Sequence, residues 1–286
     1  MSRPTVSDLV ASTGELATLP SVVVALLDLL KDTSTSAVQV QAVLERDPAM
    51  TANVLKLANS AFYGARRTIA TVRSALVMLG NRSIATLAFA TGMAPVLRRD
   101  LEGYGLDREA FWRHCLLTGA AAAWAADLGG IEDRRTEAFT AGIVHDVGML
   151  VIDQWLTRTG TRLTPSTDES VLRASERAVL GFDHAEAGAA LIEAWGFPAA
   201  LVSALRYHHV PLEADIDPRF ASAVAAADRV ASVLGGPPTT DWPAEAVAEL
   251  AGLGYFAADF DELRLDLDGD LDQTLAAATR PAAALI

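Results

Sequence analysis

The sequence predicts an all-α protein. Segments rich in Ala and Leu carry their apolar residues at helical spacing, whereas runs that alternate apolar and polar residues are nearly absent. Residues that start or stop helices fall between these segments. The chain has 286 residues, of which 51% are hydrophobic, so it can bury a sizeable core in one large domain or two small ones.

Five helices are predicted in the first part of the chain. The third has a clear start, because Asp47 can accept hydrogen bonds from free backbone N–H groups and Pro48 suits the first helical position. A charged segment with two glycines, residues 98–107, is predicted to be a hinge between two helical lobes. The five helices cover approximately residues 20–31, 37–45, 47–61, 71–79 and 83–97.

Five more helices are predicted beyond the hinge. One begins with a capping box formed by Asp183 and Glu186. The polar stretch 157–170 is predicted to be a mobile loop, and the acidic tail from Trp242 is predicted to add one or two helices with a solvated face. The five helices cover approximately residues 108–128, 137–156, 183–194, 198–209 and 219–234.

Composition disfavours several classes of function, and nucleic-acid binding is the weakest of three hypotheses. The formal net charge of −13 repels nucleic-acid backbones and anionic lipid head groups, so nucleic-acid and membrane partners are not expected. The most apolar stretch, residues 84–97, is too short to span a membrane, and the N-terminus shows no apolar signal region. Cys115 is the single cysteine, which excludes an intramolecular disulfide and favours a cytoplasmic protein.

The residues that could carry chemistry lie beyond the predicted hinge. Each of the five histidines lies on or beside an apolar helical stripe, and Asp228 shares a stripe with Phe220 and Val224. A buried carboxylate is costly unless it is paired or bound to metal. Inward imidazoles and carboxylates are the groups that bind iron, manganese or zinc. The histidines are His114, His145, His184, His208 and His209, and Asp146 follows His145 directly.

Ordinary structural roles would account for each of these residues taken singly. A lone histidine on an apolar face is usually a hydrogen-bonded core residue. His184 lies beside a helix N-cap, His208 and His209 end a helix where a cation suits the dipole, and Asp228 could pair with Arg206 or Arg229. Their ordered combination on consecutive helices favours a metal site, and no side chain is assigned a catalytic role.

Nine motifs together resemble the HDOD family, the signalling relatives of the HD metal-dependent phosphohydrolases. Two of them, residues 45–51 and 57–64, are especially similar to the family's signature. All nine follow in the family's order, and the resemblance covers approximately residues 15–235. The motifs are 18–21 (TLPS), 45–51 (ERDPAMT), 57–64 (LANSAFYG), 72–80 (VRSALVMLG), 111–114 (FWRH), 141–148 (AGIVHDVG), 183–188 (DHAEAG), 195–198 (WGFP) and 208–211 (HHVP).

The resemblance implies a domain organisation and a set of metal ligands. It implies an N-terminal helical lobe over 15–103 and an HD-like lobe over 104–235, followed by the acidic helical tail 236–286. Related HD phosphohydrolases bind metal through one histidine, an adjacent His-Asp pair and a later aspartate, and relatives with more ions add histidines. The matching positions predict one or two divalent ions (Fe, Mn or Zn) held by His114, His145, Asp146, Asp228, His184, His208 and His209.

Two departures from active relatives bear on function. Met149 replaces the lysine that often follows the His-Asp pair, which removes a cationic phosphate contact. The Gly-Tyr-Pro motif of cyclic-di-GMP phosphodiesterases is absent, since Val210-Pro211-Leu212 follows the two histidines. Both departures speak against hydrolysis of cyclic-di-GMP.

The resemblance therefore implies a bacterial regulatory protein that acts in signal transduction by binding a protein or nucleotide, without efficient catalysis. The alternative is a metal-dependent phosphohydrolase acting on a nucleotide or phosphodiester. A signalling protein is the expected partner, and the sequence leaves open whether the protein is a homodimer. The motif 59–64 also has two interpretations: a helix C-terminus capped by Gly64, which we favour, or a contact surface for a partner.

Overall fold

The computed structural model describes residues 3–14, 21–30, 35–59, 68–164, 166, 168–235 and 242–260. The predicted all-α class is confirmed, because these residues contain thirteen α-helices and no strand beyond an isolated bridge between Leu101 and Leu106. The helices are α1 (Val6–Ser12), α2 (Ser21–Leu30), α3 (Ala37–Leu44), α4 (Pro48–Ala58), α5 (Val72–Leu97), α6 (Arg108–Leu128), α7 (Arg135–Val144), α8 (Val147–Thr159), α9 (Glu169–Leu180), α10 (His184–Ala194), α11 (Ala199–Tyr207), α12 (Pro218–Gly235) and α13 (Ala244–Gly252).

The chain divides into two compact units. The larger unit joins Met1–Thr18 to Val96–Ala257, and the smaller joins Leu19–Pro95 to Ala258–Ile286. The domain boundaries implied by the resemblance, 15–103, 104–235 and 236–286, stay a prediction. None of the helices in the described part of the chain is both long and apolar enough to cross a membrane.

The smaller unit starts its helices as the sequence predicts. Asp47 accepts a hydrogen bond from the backbone N–H of Met50 at 2.9 Å, so it caps α4. The predicted stop near Gly80 is also present, because this glycine has φ +80° and interrupts the helical geometry of α5. Asn59 accepts from the N–H of Ile69 and donates to its carbonyl, which fixes the chain after α4. Residues 60–64, on which the two interpretations of the motif depend, lie outside the described residues.

The larger unit is built around α6, which packs against α7 and α12. Close approach depends on small residues: a Cβ on Gly142 would lie 2.5 Å from the carbonyl oxygen of Thr118 on α6. Helix α8 packs on α10 in the same way, since a Cβ on Gly148 would overlap the carbonyl oxygen of His184. The N-terminal helix α1 packs on α8 and α10.

The predicted single helix over 137–156 is wrong, because the structure breaks it at His145 and Asp146. Helix α7 ends at Val144 and α8 begins at Val147. The His145 ring Nδ1 lies 2.8 Å from the Gly142 carbonyl, an acceptor that a continuous helix would use for a backbone hydrogen bond. The His145 ring therefore takes the place of a backbone N–H at this carbonyl where the helix breaks. His145 and Asp146 both lie at the junction of α7 and α8.

Helix α9 is absent from the sequence prediction. Asp168 caps its N-terminus by accepting from the N–H of Ser170, and Gly181 ends it with φ +93°. Helix α8 also continues to Thr159, so the connection between the two helices is shorter than the predicted loop over 157–170.

The predicted capping box of α10 is only half correct. Asp183 caps the helix by accepting from the N–H of Glu186. The Glu186 carboxylate instead pairs with Arg177 of α9 at 2.7 Å. The arginine competes for the carboxylate that would otherwise reach back to the N-cap backbone.

The C-terminal region supplies one described helix, α13, which packs on α12. A 3₁₀ turn follows at Ala257–Phe260. Most of the acidic residues of the predicted tail lie outside the described residues: Asp261, Glu262, Asp266, Asp268, Asp270 and Asp272.

Candidate metal centre

The larger unit brings all seven predicted ligands together. Each comes from the end or the inner face of a different helix, except for the adjacent pairs. His114 lies on α6, His145 and Asp146 between α7 and α8, His184 at the start of α10, His208 and His209 directly after α11, and Asp228 on α12.

A first group of ligand atoms comes from His114, His145 and Asp228. The Nε2 atom of His114 lies 3.1 Å from His145 Nε2 and 3.1 Å from an oxygen of Asp228. An oxygen of Asp146, Oδ2, lies 3.1 Å from His145 Nε2. Nitrogen and oxygen ligands about 2.1 Å from one ion are separated by about 3.0 to 3.4 Å. The spacing therefore suits a single divalent ion.

A second group comes from His184, His208 and His209. The Nε2 atoms of His184 and His209 lie 2.8 Å apart. The other oxygen of Asp146, Oδ1, lies 3.3 Å from His184 Nε2 and 3.7 Å from His208 Nε2. Asp146 thus faces the first group with one carboxylate oxygen and the second group with the other, as a ligand shared by two ions would.

Three of the histidines have their second ring nitrogen fixed. Nδ1 of His145 lies 2.8 Å from the Gly142 carbonyl, and Nδ1 of His208 lies 2.6 Å from the Leu205 carbonyl. Nδ1 of His184 lies 2.9 Å from an oxygen of Glu176. Since a carbonyl or carboxylate only accepts, each Nδ1 carries a proton, and each Nε2 presents a lone pair to the centre when its ring is neutral.

The surroundings of the buried ligand atoms indicate whether this arrangement fits a metal ion. His208 Nε2 is buried and has no hydrogen-bond partner among the described residues. A buried nitrogen without a partner costs about 1 to 3 kcal/mol, so the ordinary core role considered for single histidines does not account for it. Asp228 faces His114 and His145, whereas Arg206 and Arg229 pair with Glu193 and Glu249. The donor set fits a divalent ion.

The electrostatics of the centre favour positive charge. Burial works against a charged His145, but the adjacent Asp146 carboxylate outweighs it and holds the pKa of His145 well above its usual value. Burial likewise opposes charge on His184, yet Glu176 and Asp146 raise its pKa to about 10. A metal ion binding here would replace protons at these imidazoles.

The pKa values of the two aspartates and of His209 are shifted downward. Burial alone would raise the pKa of Asp146 and Asp228, but the facing histidines hold the pKa of both carboxyls well below the usual value. Burial together with the nearby His208 lowers the pKa of His209, which keeps that imidazole neutral. Ionised carboxylates and a neutral imidazole are the forms that bind metal.

Two glutamates of the site were missed by the sequence reasoning because α9 was missed. Glu169 is half-exposed, and its Oε1 lies 3.3 Å from His209 Nε2 and 3.5 Å from His184 Nε2. Glu176 is fully buried and accepts hydrogen bonds from the backbone N–H of His184 and from the hydroxyl of Tyr104 at 2.7 Å. A sequence signal for α9 was present, because Leu172, Glu176 and Leu180 recur at helical spacing on one face.

An open cleft of about 750 Å³ lies beside the centre. Its lining includes Glu169, His208, His209 and Asp228, so both ligand groups reach its floor. The walls come from α9, from the turn after His209, from α12 and from α13. A small molecule or a side chain could therefore reach the centre from solvent.

A helical unit with a histidine–aspartate cluster at its helix junctions is the arrangement that the resemblance implies. The family model of the HDOD domain matches residues 16–211. The chain belongs to the HDOD family.

Two solved structures are similar to this chain over most of its length. A candidate phosphohydrolase from Shewanella amazonensis SB2B is 25% identical, with a TM-score of 0.72, and the match covers 96% of this chain and 98% of that one. An HDOD domain protein of unknown function from Geobacter sulfurreducens is 23% identical, with a TM-score of 0.66, over 94% of this chain and 96% of that one.

A curated relative is longer than this chain. An uncharacterized protein of Treponema pallidum (strain Nichols) is 24% identical over 197 residues. The match covers 68% of this chain and 38% of that protein, so this chain spans well under half of the relative's length.

Proposed function

We propose that this HDOD protein is a metal-dependent phosphohydrolase with two divalent ions, Fe, Mn or Zn, at the candidate centre. The single observation that carries the proposal is the position of Asp146, which lies between the two ligand groups and faces each of them with a different carboxylate oxygen. The similarity to the candidate phosphohydrolase from S. amazonensis supports the same class of activity.

The proposed roles follow the two groups. His114, His145 and Asp228 would hold one ion, and His184, His208 and His209 would hold the other, with Asp146 contributing to both. Divalent ions in such a site polarise a phosphoryl oxygen and lower the pKa of water. The chain itself orients the ligands, since the Gly142 and Leu205 carbonyls and the Glu176 carboxylate fix three imidazole rings.

Glu169 differs from the other carboxylates of the centre because it is open to the cleft. Its Oε1 lies within 3.5 Å of two histidines of the second group, while its side chain is 46% exposed. We assign it a place at the edge of the second group, where it can complete the ligand set or hold a proton at the cleft side. The first group has no equivalent exposed carboxylate among the residues described.

A regulatory protein without efficient turnover is the second candidate, and Met149 favours it. This residue is 3% exposed and stands where the resemblance expects a lysine that contacts phosphate. Such a protein would use the same centre to bind a nucleotide or to stabilise a surface for a signalling partner. We also propose a cytoplasmic location and a protein partner rather than nucleic acid, in keeping with the net charge of −13.

Metal content and turnover together test the proposal. Protein purified without a histidine tag or chelator should contain about two ions per chain by mass spectrometry, and His145→Ala should lose at least one of them. The metal-loaded protein should hydrolyse p-nitrophenyl phosphate, and His145→Ala should not. Asp153→Asn is the matched control, because Asp153 lies on α8 but accepts a hydrogen bond from Gly103 instead of facing the centre.

The outcomes separate the two candidates. Bound metal with turnover that His145→Ala abolishes supports a phosphohydrolase. Bound metal without turnover favours the regulatory protein. No metal in protein supplied with manganese, iron or zinc would contradict the proposed centre itself.

A further inference from the structure

The charge of the cleft beside the metal centre differs from that expected for a polyphosphate site. Its lining contains six carboxylates, from Asp168, Glu169, Glu213, Asp228, Glu245 and Glu249. It contains two guanidinium groups, from Arg173 and Arg229. Two of the carboxylates, Glu169 and Asp228, lie at the candidate centre, so four belong to the walls and rim.

Both arginines of the cleft are already paired. Nε of Arg173 lies 2.9 Å from the carboxylate of Asp183, which is fully buried. Nε of Arg229 lies 2.6 Å from the carboxylate of Glu249. Withdrawing Arg173 would weaken the pairing of a buried charge, which is costly. The positive charge of each arginine is therefore already offset by a carboxylate, which leaves the cleft with an excess of negative charge.

Helix α13 contributes much of the negative rim. Glu245 and Glu249 are one helical turn apart, so they lie on the same face of α13. Their side chains are 84% and 54% exposed, and both point toward the side of the cleft that carries Arg229. Helix α13 lies beyond residues 16–211, the part that matches the family model, so these two carboxylates are not part of the matched domain.

An apolar surface completes the mouth of the cleft. Leu212 is 73% exposed, and the partly exposed Leu253 lies in the same lining. A ligand with methylene groups could contact these residues while a terminal cation approaches the carboxylates of α13.

We infer that this cleft takes a phosphomonoester whose remainder carries positive charge, and that it rejects nucleoside polyphosphates. The inference rests on the proposed function for the place of the phosphate, which would lie at the metal centre. The rest of the ligand then faces carboxylates, so an amine or guanidinium group is attracted and a further phosphate is repelled. A basic phosphopeptide and a small amino phosphoester share this chemistry.

Binding to matched peptides tests the charge preference without requiring turnover. Two fluorescent phosphoserine peptides, one flanked by three lysines and the other by three glutamates, are titrated with manganese-loaded protein. We expect the lysine peptide to bind about tenfold more tightly at low salt, and we expect the difference to shrink as salt is added. The unphosphorylated lysine peptide should bind more weakly than its phosphorylated form, because the phosphate would engage the centre.

Variants locate the preference on α13. Glu245→Gln with Glu249→Gln should reduce the preference for the lysine peptide by about threefold or more. The matched control is Glu132→Gln with Asp133→Asn, which removes two exposed charges outside the cleft lining and should leave the preference unchanged. Glu245→Gln alone keeps the pair between Arg229 and Glu249, so it shows a smaller change in the same direction even if the double variant folds poorly.

A competition experiment distinguishes a basic phosphopeptide from a small amino phosphoester as the ligand. Phosphoethanolamine that displaces the lysine peptide at equal concentration would indicate a small substrate, and displacement only by peptides would indicate a protein substrate. Equal or tighter binding of the glutamate peptide or of ATP would overturn the inference. Hydrolysis of p-nitrophenyl phosphate without any charge preference would overturn this inference alone, whereas selective peptide binding without hydrolysis would overturn only the proposed activity.

Discussion

The two ligand groups of the centre carry their negative charge in different places. The first group contains the carboxylate of Asp228 beside two imidazoles. The second group is made of three histidines, and its carboxylates stand around it: Glu176 lies behind His184, and Glu169 lies at the cleft. Asp146 is common to both groups.

This difference indicates unequal affinity for the two ions. A carboxylate within the ligand set offsets part of the charge of a divalent ion directly, so the first group should bind its ion more tightly. The second group depends on imidazoles that must be held in position. Both groups adjoin the cleft, the first through Asp228 and the second through His208 and His209. We therefore expect the second ion to be the weaker and more exchangeable one. The variants below change either one of the two groups or the residues that join them.

Asp146→Asn should have the largest effect, because it alone removes a charged ligand from both groups. We expect metal content to fall from about two ions per chain to fewer than one, measured by mass spectrometry after equilibrium dialysis against manganese. Asp228→Asn should instead reduce occupancy of the first group only. Loss of a single ion in Asp146→Asn, with the other retained at full affinity, would contradict the shared position of this carboxylate.

Gly148→Ala should destabilise the frame that joins the two groups. Helix α8 begins just after Asp146 and α10 begins at His184, and an added Cβ would overlap the His184 carbonyl and lie 2.5 Å from the Gly188 nitrogen. We expect a loss of about 3 kcal/mol in the free energy of unfolding, measured by urea denaturation. Gly252→Ala is the control, because its Cβ would have no neighbour within 4 Å. Equal stability of the two variants would rule out the close packing of α8 on α10.

All three residues of the first group were named as candidate ligands from the sequence. His114 and Asp228 lie on apolar stripes of α6 and α12, two helices whose bounds the sequence also predicts. The pattern of a single helix could not indicate that these faces meet, since that depends on packing between helices; the family's motifs supplied the missing link. The break between α7 and α8 was missed, because residues 137–156 keep helical periodicity across His145 and Asp146.

The second group shows where sequence reasoning was incomplete. Its histidines were predicted, but Glu169 and Glu176 were not, because polar residues around α9 suggested a loop. The sequence did contain signals for α9. A glutamate interrupts an otherwise apolar stripe, and Asp168 and Gly181 mark the two ends of the helix.

Glu176→Gln should weaken the second ion and spare the first. Glutamine keeps the size of the side chain but loses the charge that fixes the His184 ring, so we expect a loss of about tenfold to a hundredfold in affinity for one of the two ions. Stepwise calorimetric titration with manganese measures both affinities. Glu186→Gln on α10 is the control, since that carboxylate pairs with Arg177 instead of a histidine. Equal weakening of both ions would argue against separate support for the second group.

The stability of the metal-free protein should depend on pH because Glu176 stabilises the charged form of His184. Glu176 and Asp146 raise the pKa of His184 to about 10 against the opposing effect of burial, so its positive charge stabilises the fold fully below pH 6.5. This contribution is lost as the pH rises from 6.5 through about 10, and each unit of pKa difference corresponds to about 1.4 kcal/mol. We expect the free energy of unfolding to fall over this window in chelator-treated protein, and Glu176→Gln to flatten the decline.

Metal affinity should change in the opposite direction over the same window. An ion must displace the protons of His145 and His184, so its apparent affinity should rise with pH until these imidazoles are neutral. Urea denaturation of the metal-free protein and manganese titration at pH 6.5, 8 and 9.5 measure the two trends. A stability that rises with pH in the metal-free protein would contradict the proposed charge of His184.

Tyr104→Phe should give the smallest effect, because it acts on the second group only through Glu176. The Tyr104 hydroxyl donates to Glu176 at 2.7 Å, and Glu176 in turn holds Nδ1 of His184. Removing this donor leaves the carboxylate with its two contacts to His184, so we expect less than a tenfold loss in affinity for the second ion and about 1 to 2 kcal/mol in stability. Tyr255→Phe is the control, since that tyrosine is remote from Glu176 in the chain and lies against Gly129. A loss as large as that of Glu176→Gln would mean that the tyrosine hydroxyl, and not the carboxylate, positions the second group.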